Sequence, residues 1–423
     1  MIRYQSARQI IVDQVGKNIA KRGVESVALA EASARVLAAD ILADRDYPPF
    51  DRTTRDGYAV RAAEVFDGAV LQCVGEIKAG DVPAHVVSTG QCLQIMTGAC
   101  VSGGADAVVM VEHASREGDA VRFSRNAVAE QNIVRRGSEA RAGQAVLTAG
   151  MRIGYAELAQ AAQVGAAELS CFRRARVAIL STGDEIVPFA ASPGEFQIRN
   201  SNTVSLAAQV RMTGGVPIVL DSAADIAEDL RAKISEGLRE DILILSGGVS
   251  AGKYDLVENV LRELGAEILF DAVAIRPGKP AVFARCKGKP VFGLPGNPVS
   301  TMVTFELFVS PAIDMLNGAK PRALAFVEAE LAEELHEKPG MTHFLPARLE
   351  WVDSATHGAG GEAKLTNALA AKTLGGKVHA LRWQGSGDIA AMVKANCFLV
   401  VDAELSQVAA GTRMPVLLRK DVV

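Results

Sequence analysis

The chain has 423 residues, of which 49% are hydrophobic and 22% charged, and its formal net charge is −4. These values are typical of a globular protein, and the length predicts three or four domains because one core rarely serves so long a chain. The small net charge, with no dense Lys/Arg block, disfavours nucleic-acid binding.

The six cysteines are scattered along the sequence, and no two of them form a CxxC pair. They therefore predict neither a disulfide framework nor a zinc site, and reduced thiols are typical of the cytosol. The chain does not open with a signal-peptide pattern, and no uninterrupted apolar run is long enough to span a bilayer. We expect a soluble, cytoplasmic protein that binds neither nucleic acid nor membrane.

The first 175 residues alternate between helical and β-type patterns. Helical apolar spacing marks residues 5–21 and 29–42 and returns at 155–164, whereas short strands and glycine turns fill the segment 69–134. An insertion leaves both of its flanks in one domain. We therefore expect residues 1–45 and 135–175 to form one discontinuous helical and extended domain, with 46–134 as an inserted β-rich domain.

From residue 176 the pattern becomes strand, helix, strand, helix, which predicts a parallel sheet over 176–320. Residues 281–286 and 291–294 instead predict an antiparallel hairpin within that sheet, and the long helix 298–316 follows. Strand patterns return from 321 to 423 and predict a small β-barrel or sandwich. The fold class is therefore multidomain α/β, with a nucleotide-type parallel-sheet domain between β-rich domains.

Three polar, glycine-bearing loops occur within about sixty residues of the parallel-sheet segment. They are 246–250 (Ser-Gly-Gly-Val-Ser), 276–280 (Arg-Pro-Gly-Lys-Pro) and 295–300 (Pro-Gly-Asn-Pro-Val-Ser). A strand that runs into a glycine turn and then a helix exposes backbone N–H groups that bind phosphate. Arg276 and Lys279 add positive charge, so the loops predict a site for an anionic ligand at one sheet edge.

Several carboxylates follow predicted strands, and each has a structural alternative. Asp184 and Glu185 are equally compatible with ligand binding and with a polar turn. Asp225 stands three residues before Glu228, a capping-box pattern that favours a structural role. Asp255 could cap the next helix or hold a hydrated Mg²⁺ ion. Asn297 and Pro298 fit the N-cap and first position of the long helix, which would aim its N–H groups and Ser300 at an anion.

The motifs together resemble one known family. They are 56–61 (Asp-Gly-Tyr-Ala-Val-Arg), 95–99 (Ile-Met-Thr-Gly-Ala) with 104–109, 181–185 (Ser-Thr-Gly-Asp-Glu), 246–250, 277–280 and 294–300. In this order they resemble the MoeA family of molybdopterin molybdenumtransferases and are similar to the E domain of gephyrin. The resemblance covers nearly the whole chain. It implies four domains, an elongated homodimer, and a reaction in which adenylylated molybdopterin and molybdate give molybdenum cofactor and AMP.

The resemblance also implies roles for individual residues. Molybdate would be held by Lys279, Ser300, Arg348 and Ser386, with Arg276 close by. Ser246, Gly247, Gly248 and Ser250 would face the adenylyl and pyrophosphate part, and Pro295 and Asn297 would also bind substrate. Mg²⁺ would be held by Asp184, Glu185, Asp225 and Asp255, and the catalytic residues would be Asp56, Glu185, Asp225, Asp255 and Lys279. Thr97 and Glu139 would bind substrate with Asp56, and the three could act in their own chain or across the dimer.

Three positions depart from the pattern of the family. Arg276 stands where lysine is frequent, which keeps the charge but changes the geometry of the contact. Glu139 replaces the usual aspartate, and the arginine pair before it lacks the first of three arginines that are often present. Lys253 adds a cation where an acidic residue is frequent. These departures affect individual contacts rather than the resemblance as a whole.

Two other functions are compatible with parts of the sequence. A molybdopterin adenylyltransferase would share the α/β domain, but such enzymes are short single-domain proteins with a different glycine-rich loop. A gephyrin-like scaffold is a second alternative, although the sequence has no long linker. The resemblance also allows transient contacts with the adenylyltransferase and with molybdoenzyme chaperones.

Overall fold

The computed structural model describes residues 1–17, 23–248, 256–351 and 376–422. Internal contacts divide the chain into two compact units. The first comprises Met1–Glu25, Ala34–Val36 and Cys171–Val423, and the second comprises Ser26–Ser33 and Leu37–Ser170. The predicted site residues Ser250 and Asp255, and the neighbouring Lys253, lie outside the described residues.

A six-stranded sheet forms the centre of the first unit, and its strand pattern confirms the α/β prediction. In spatial order the strands are Val216–Val219, Arg176–Ser181, Ile242–Ser246, Lys289–Leu294, Val282–Cys286 and Glu267–Phe270. The first four are parallel to one another. The fifth strand pairs antiparallel with both the fourth and the sixth. Its pairing with the fourth confirms the predicted hairpin of 281–286 with 291–294.

Helices cover both faces of this sheet, because its central strands are apolar on both sides. Ile179 and Ile244 face a core that contains helices Tyr4–Gly16 and Asn202–Thr213 and the long helix from Pro298. The alternate residues Leu180 and Leu245 face a second core. Helices Ala227–Gly237 and Leu256–Glu263 supply the other side of that core. The sheet is therefore a buried middle layer, as the continuous apolar runs predict.

The long helix consists of Pro298–Thr304, a π-helical turn at Phe305–Val309 and Ser310–Leu316. By length and composition alone this helix could cross a membrane. It is not an uninterrupted apolar run, because it includes Glu306 and Asp314, and a search of the sequence for such runs therefore does not find it. Most of its surface is buried inside the unit, however. Its apolar character is that of a core helix in an α/β domain.

The C-terminal part closes into a five-stranded barrel, which confirms the predicted β-barrel. Around the ring the strands are Thr342–Trp351, Gly376–Ala380, Phe326–Leu331, Arg413–Leu418 and Cys397–Val401, and the last pairs back with the first. Ile275–Arg276 pairs with the edge of Thr342–Trp351. Helix Ile389–Lys394 precedes the strand Cys397–Val401. Leu335–His336 and Gln407–Val408 form a small separate pair.

The second unit contains a six-stranded sheet that confirms the predicted β-rich region. Its order is Ala107–Met110, Gly57–Val60, Gln91–Ile95, Val70–Ile77, Ala120–Phe123 and Ala114–Glu117. Each face has its own small core, one around Tyr58 and Phe123 and the other around Ala59 and Leu93. Two short pairs join Ile41–Leu42 to Ala145–Leu147 and Arg52–Thr53 to Ile133–Val134, and helix Tyr155–Gln163 follows.

The predicted helix over 29–42 is wrong. Only Leu29–Glu31 forms a short 3₁₀ turn, and Ile41–Leu42 is a strand. The N–H groups of Leu37 and Ala38 donate to the carbonyls of Met151 and Ser170, so they cannot close helical turns. Ala34 has a φ of +62°, which also interrupts a helix. Tertiary backbone pairing overrides the apolar spacing here.

Candidate functional site

Three loops start side by side at the carboxyl end of the parallel sheet. Ser181 is in register with Ser246, and Ser246 with Leu294, so the polar segments that follow these residues lie next to one another. A cavity of about 630 Å³ opens among them. Its lining includes Thr182, Glu185, Asp225, Asn202, Ser246, Gly247, Gly248, Pro295 and Asn297. We refer to it as the strand-end cavity.

The Ser-Gly-Gly turn requires its glycines. Gly247 and Gly248 have φ values of +92° and +65°, and a Cβ on Gly248 would lie 2.7 Å from the Thr182 hydroxyl oxygen. The turn therefore packs directly on the end of the neighbouring strand, a close approach that only glycine permits. The Thr182 hydroxyl itself is buried and has no hydrogen-bond partner among the described residues.

Two asparagines at the start of helix Asn202–Thr213 hold the strand ends. Asn200 Nδ2 donates to Ser181 Oγ over 3.0 Å, and Asn202 Nδ2 donates to Ser246 Oγ over 3.0 Å. Asn202 Nδ2 also donates to the Gly296 carbonyl over 2.7 Å, which ties the Ser-Gly-Gly turn to the Pro-Gly-Asn turn. Sequence reasoning missed both residues, because asparagine before a helix is ordinarily a cap.

Three carboxylates lie together at one side of the strand-end cavity. The Asp225 backbone N–H donates to Asp184 Oδ1 over 3.2 Å, and the Glu185 carboxylate folds back over Gly183. Burial raises the pKa of Asp225, and the negative charges of Asp184 and Glu185 raise it further. Such a group gains from a nearby cation. The described residues nevertheless contain no cluster of three or more His, Cys, Asp or Glu side chains able to hold a metal alone.

The capping-box interpretation of Asp225 is wrong. The helix begins at Ala227 with Ile226 as N-cap, and no side chain caps it. Asp229 instead accepts a hydrogen bond from the Ala224 N–H over 2.8 Å. Asp225 is therefore not used by the helix, and its carboxylate is left on the side of Asp184 and Glu185.

A second cavity of about 540 Å³ adjoins the first and is basic. It includes Arg276, Lys279, Ser300, Trp383 and Ser386, and it shares Pro280, Pro295 and Asn297 with the strand-end cavity. We refer to it as the basic cavity. Arg276 lies 3.9 Å from Glu337, whereas Lys279 has no carboxylate within ion-pair distance in the described part of the chain. Its positive charge is thus open to an anionic ligand.

The N-terminus of the long helix forms one wall of the basic cavity. Asn297 is the N-cap and Pro298 the first residue, as predicted, but the Asn297 side chain does not cap the helix. Its Nδ2 donates to Ser386 Oγ over 2.9 Å, and the Val299 N–H donates to the Ser386 carbonyl over 2.9 Å. The loop 384–388 is thereby held against the helix start, which brings Ser386 and the buried Ser300 into one cavity.

Arg348 is the one described molybdate candidate that neither cavity includes. It lies on strand Thr342–Trp351 opposite His379, is exposed, and has its Nε 3.7 Å from Glu350. The structure therefore brings together Lys279, Ser300, Ser386 and Arg276 but not Arg348.

The remaining candidates are Asp56, Thr97 and Glu139, and all three lie in the second unit. Asp56 Oδ1 accepts hydrogen bonds from the hydroxyl and the backbone N–H of Thr97, at 2.7 and 2.6 Å. These bonds lower the pKa of Asp56. Glu139 pairs with Arg52 at 3.0 Å. Asp56 and Thr97 thus form one polar group.

The fold and the two cavities define an α/β protein with a polar and basic site, suited to an anionic ligand, at the carboxyl end of a parallel sheet and beside a β-barrel. Three family models match successive parts of the chain: the MoeA N-terminal region (domain I and II) at residues 2–165, a probable molybdopterin binding domain at 178–315, and the MoeA C-terminal region (domain IV) at 328–418.

Curated relatives agree with the family models. The chain is 36% identical to a molybdopterin molybdenumtransferase of Nostoc sp. over 386 residues, which cover 86% of this chain and 88% of the relative. It is 32% identical to the enzyme of that name from Haemophilus influenzae, with 92% of each chain covered. A solved MoeA protein from Pyrococcus horikoshii superposes with a TM-score of 0.79 at 25% identity, covering 99% of this chain and 100% of that one. The chain therefore belongs to the MoeA family of molybdopterin molybdenumtransferases and is an enzyme of molybdenum cofactor biosynthesis.

Proposed function

We propose that this enzyme inserts molybdate into adenylylated molybdopterin and releases AMP. The observation that carries the proposal is the pair of adjoining cavities in the first unit, which share Pro280, Pro295 and Asn297. One has the cations and helix N-terminus that suit a small oxyanion. The other has the glycine turn and carboxylates that suit a phosphate-bearing group and its counterion. A reaction that joins an oxyanion to an adenylylated substrate needs these two environments side by side.

Molybdate, as a substrate, would bind in the basic cavity. Lys279 supplies a positive charge without a carboxylate partner among the described residues, and Ser300 lies in the first turn of the long helix. Ser386 is fixed by Asn297 and Arg276 lies beside Lys279. Cations, hydroxyls and helix N-terminal N–H groups are the donors that oxyanions prefer. Arg348 stays a candidate only if it reaches the ligand from outside the basic cavity.

The adenylyl and pyrophosphate part would bind in the strand-end cavity, at Ser246, Gly247, Gly248, Pro295 and Asn297. Ser250 follows this turn in the sequence. Bound Mg²⁺ would offset negative charge on the pyrophosphate and on the leaving AMP. Asp225, Asp184 and Glu185 fit such an ion, because burial and then the negative charges of Asp184 and Glu185 raise the pKa of Asp225, and a cation would offset both effects. Mg²⁺ typically takes one or two carboxylates plus phosphate oxygens. Asp255, which the resemblance also assigns to Mg²⁺, lies outside the described residues.

Asp56, Thr97 and Glu139 are proposed to bind substrate or assist catalysis, on the basis of the family motifs and the Asp56–Thr97 hydrogen bonds. The four-domain division, a homodimer, a cytoplasmic location, and transient contacts with the adenylyltransferase and with molybdoenzyme chaperones also belong to the proposal. They follow from the family rather than from a contact among the described residues.

Replacing Lys279 tests the oxyanion site. Lys279→Gln keeps much of the length of the side chain and removes its charge, so molybdate-dependent AMP release should fall at least about a hundredfold while AMP itself still binds. The matched control is Lys287→Gln, at an exposed lysine on the hairpin turn, which should retain full activity. Equal activity of the two variants would count against the basic cavity as the molybdate site.

An adenylyltransferase reaction is tested in the same preparation. Molybdopterin and Mg-ATP are supplied without molybdate, and the adenylylated pterin is measured by chromatography. Our proposal expects no accumulation. Accumulation would support the alternative reaction instead.

A further inference from the structure

Asn202 is not among the residues that the proposed function assigns to the substrate. It begins helix Asn202–Thr213 and lines the strand-end cavity, and its one amide group contacts both glycine turns. We propose that Asn202 is a positioning residue that holds the Ser246 hydroxyl as a hydrogen-bond donor toward the phosphate-bearing substrate. This inference rests on the proposed function and deepens it.

The orientation of the Asn202 amide follows from its partners. The Gly296 carbonyl can only accept a hydrogen bond, so the atom 2.7 Å from it is the amide nitrogen and not the oxygen. The same nitrogen lies 3.0 Å from Ser246 Oγ. The two N–H groups of Asn202 are therefore both donated, one to each turn, and Ser246 Oγ receives one of them.

The hydrogen bond from Asn202 leaves the Ser246 hydroxyl to act as a donor. Its oxygen already accepts from Asn202, and no acceptor for its own proton is found in the described part of the chain. The residue is nearly buried and lines the strand-end cavity. Phosphate oxygens only accept hydrogen bonds, so a serine whose lone pair is occupied and whose proton is free is prepared to bind them.

Two other polar atoms at the same place indicate a role beyond stability. The Asn202 Oδ1 and the Thr182 Oγ1 are buried without partners within the described residues. A buried unpaired polar atom destabilises a fold. If Asn202 served only to join the two turns, both atoms would be expected to have hydrogen-bond partners. Atoms kept unpaired at the edge of a binding cavity are typical of a site arranged for a ligand.

The test is a double-mutant cycle with AMP as the probe. Asn202→Asp has the same shape but no N–H to donate, so the Ser246 hydroxyl should turn and donate to the new carboxylate. We expect AMP affinity, measured by calorimetry, to fall about tenfold, as for the loss of one hydrogen bond to a charged group. Molybdate affinity should change less than twofold, because Asn202 does not line the basic cavity.

Combining the variants separates positioning from charge repulsion. Ser246→Ala alone should also weaken AMP binding, and the double variant Asn202→Asp with Ser246→Ala should be no weaker than Ser246→Ala. The matched control is Asn200→Asp, whose amide contacts Ser181 instead, and its effect should add to that of Ser246→Ala. Additive effects of Asn202→Asp and Ser246→Ala would overturn the inference while leaving the proposed function intact. A wild-type protein that does not bind AMP would overturn the proposed function itself, and this inference with it.

Discussion

At the scale of single residues, Asp225 shows how environment decides between a structural and a functional role. Its sequence context predicts a helix cap, yet the helix begins without it and its backbone N–H donates to Asp184. Burial and two neighbouring carboxylates raise its pKa. A carboxylate held in this way is unfavourable for the free protein once it is ionised, and it becomes favourable when a cation arrives.

The pKa of Asp225 gives a prediction with a defined sign. Because the pKa of Asp225 is raised in the folded state, the fold disfavours the ionised carboxylate. The contribution of this carboxyl group to stability is fully present only below the ordinary aspartate pKa, and it is lost as the pH rises through the raised pKa. Asp225→Asn should therefore raise the melting temperature at pH 7, and the gain should disappear at acid pH. Added Mg²⁺ should raise the melting temperature of the wild type but not of the variant.

The control for this prediction is Asp221→Asn, a loop aspartate that lies 3.5 Å from Lys233. It should leave the Mg²⁺ response unchanged and should not raise stability. A Mg²⁺ response that survives in Asp225→Asn would show that the ion binds without Asp225.

At the scale of elements, the close pairing of strands Gly57–Val60 and Ala107–Met110 depends on a glycine. A Cβ on Gly57 would lie 1.9 Å from the Val109 carbonyl oxygen, which is far inside contact distance and involves backbone on both sides. Gly57→Ala should therefore lower the free energy of unfolding by about 3 kcal/mol or more, as measured by urea denaturation. Gly103→Ala, whose nearest atom would be a Val86 methyl at 3.9 Å, should change it by less than about 1 kcal/mol.

The elements also show why some of the structure could be predicted and some could not. Apolar runs such as Ile242–Ser246 predict buried parallel strands, because both faces of those strands contact helices. The apolar spacing at 29–42 misleads, because the backbone there pairs with Met151 and Ser170, which are far away in sequence.

In the candidate site, too, some features could be predicted from the sequence and others depend on the folded structure. Polar loops after strands could be predicted to meet at one sheet edge, since register brings Ser181, Ser246 and Leu294 together. The bridging role of Asn202 could not be predicted, because it depends on the distance between two turns that only the folded sheet sets. The detailed substrate contacts and the four-domain division stay predictions.

At the scale of the whole molecule, we propose that the protein is a homodimer. Size-exclusion chromatography with light scattering should therefore give twice the mass of one chain across micromolar concentrations. The apolar helix Pro298–Leu316 should not add non-specific association to the measured mass, because most of it is buried within its own unit. A mass equal to one chain at all concentrations would contradict the dimer.

The central claim is that molybdate is consumed together with an adenylylated pterin. The most direct measurement is AMP release from adenylylated molybdopterin by the purified protein in Mg²⁺, with and without molybdate. We predict AMP release that depends on molybdate and is lost in Lys279→Gln. AMP release at the same rate without molybdate, or no release under either condition, would contradict it.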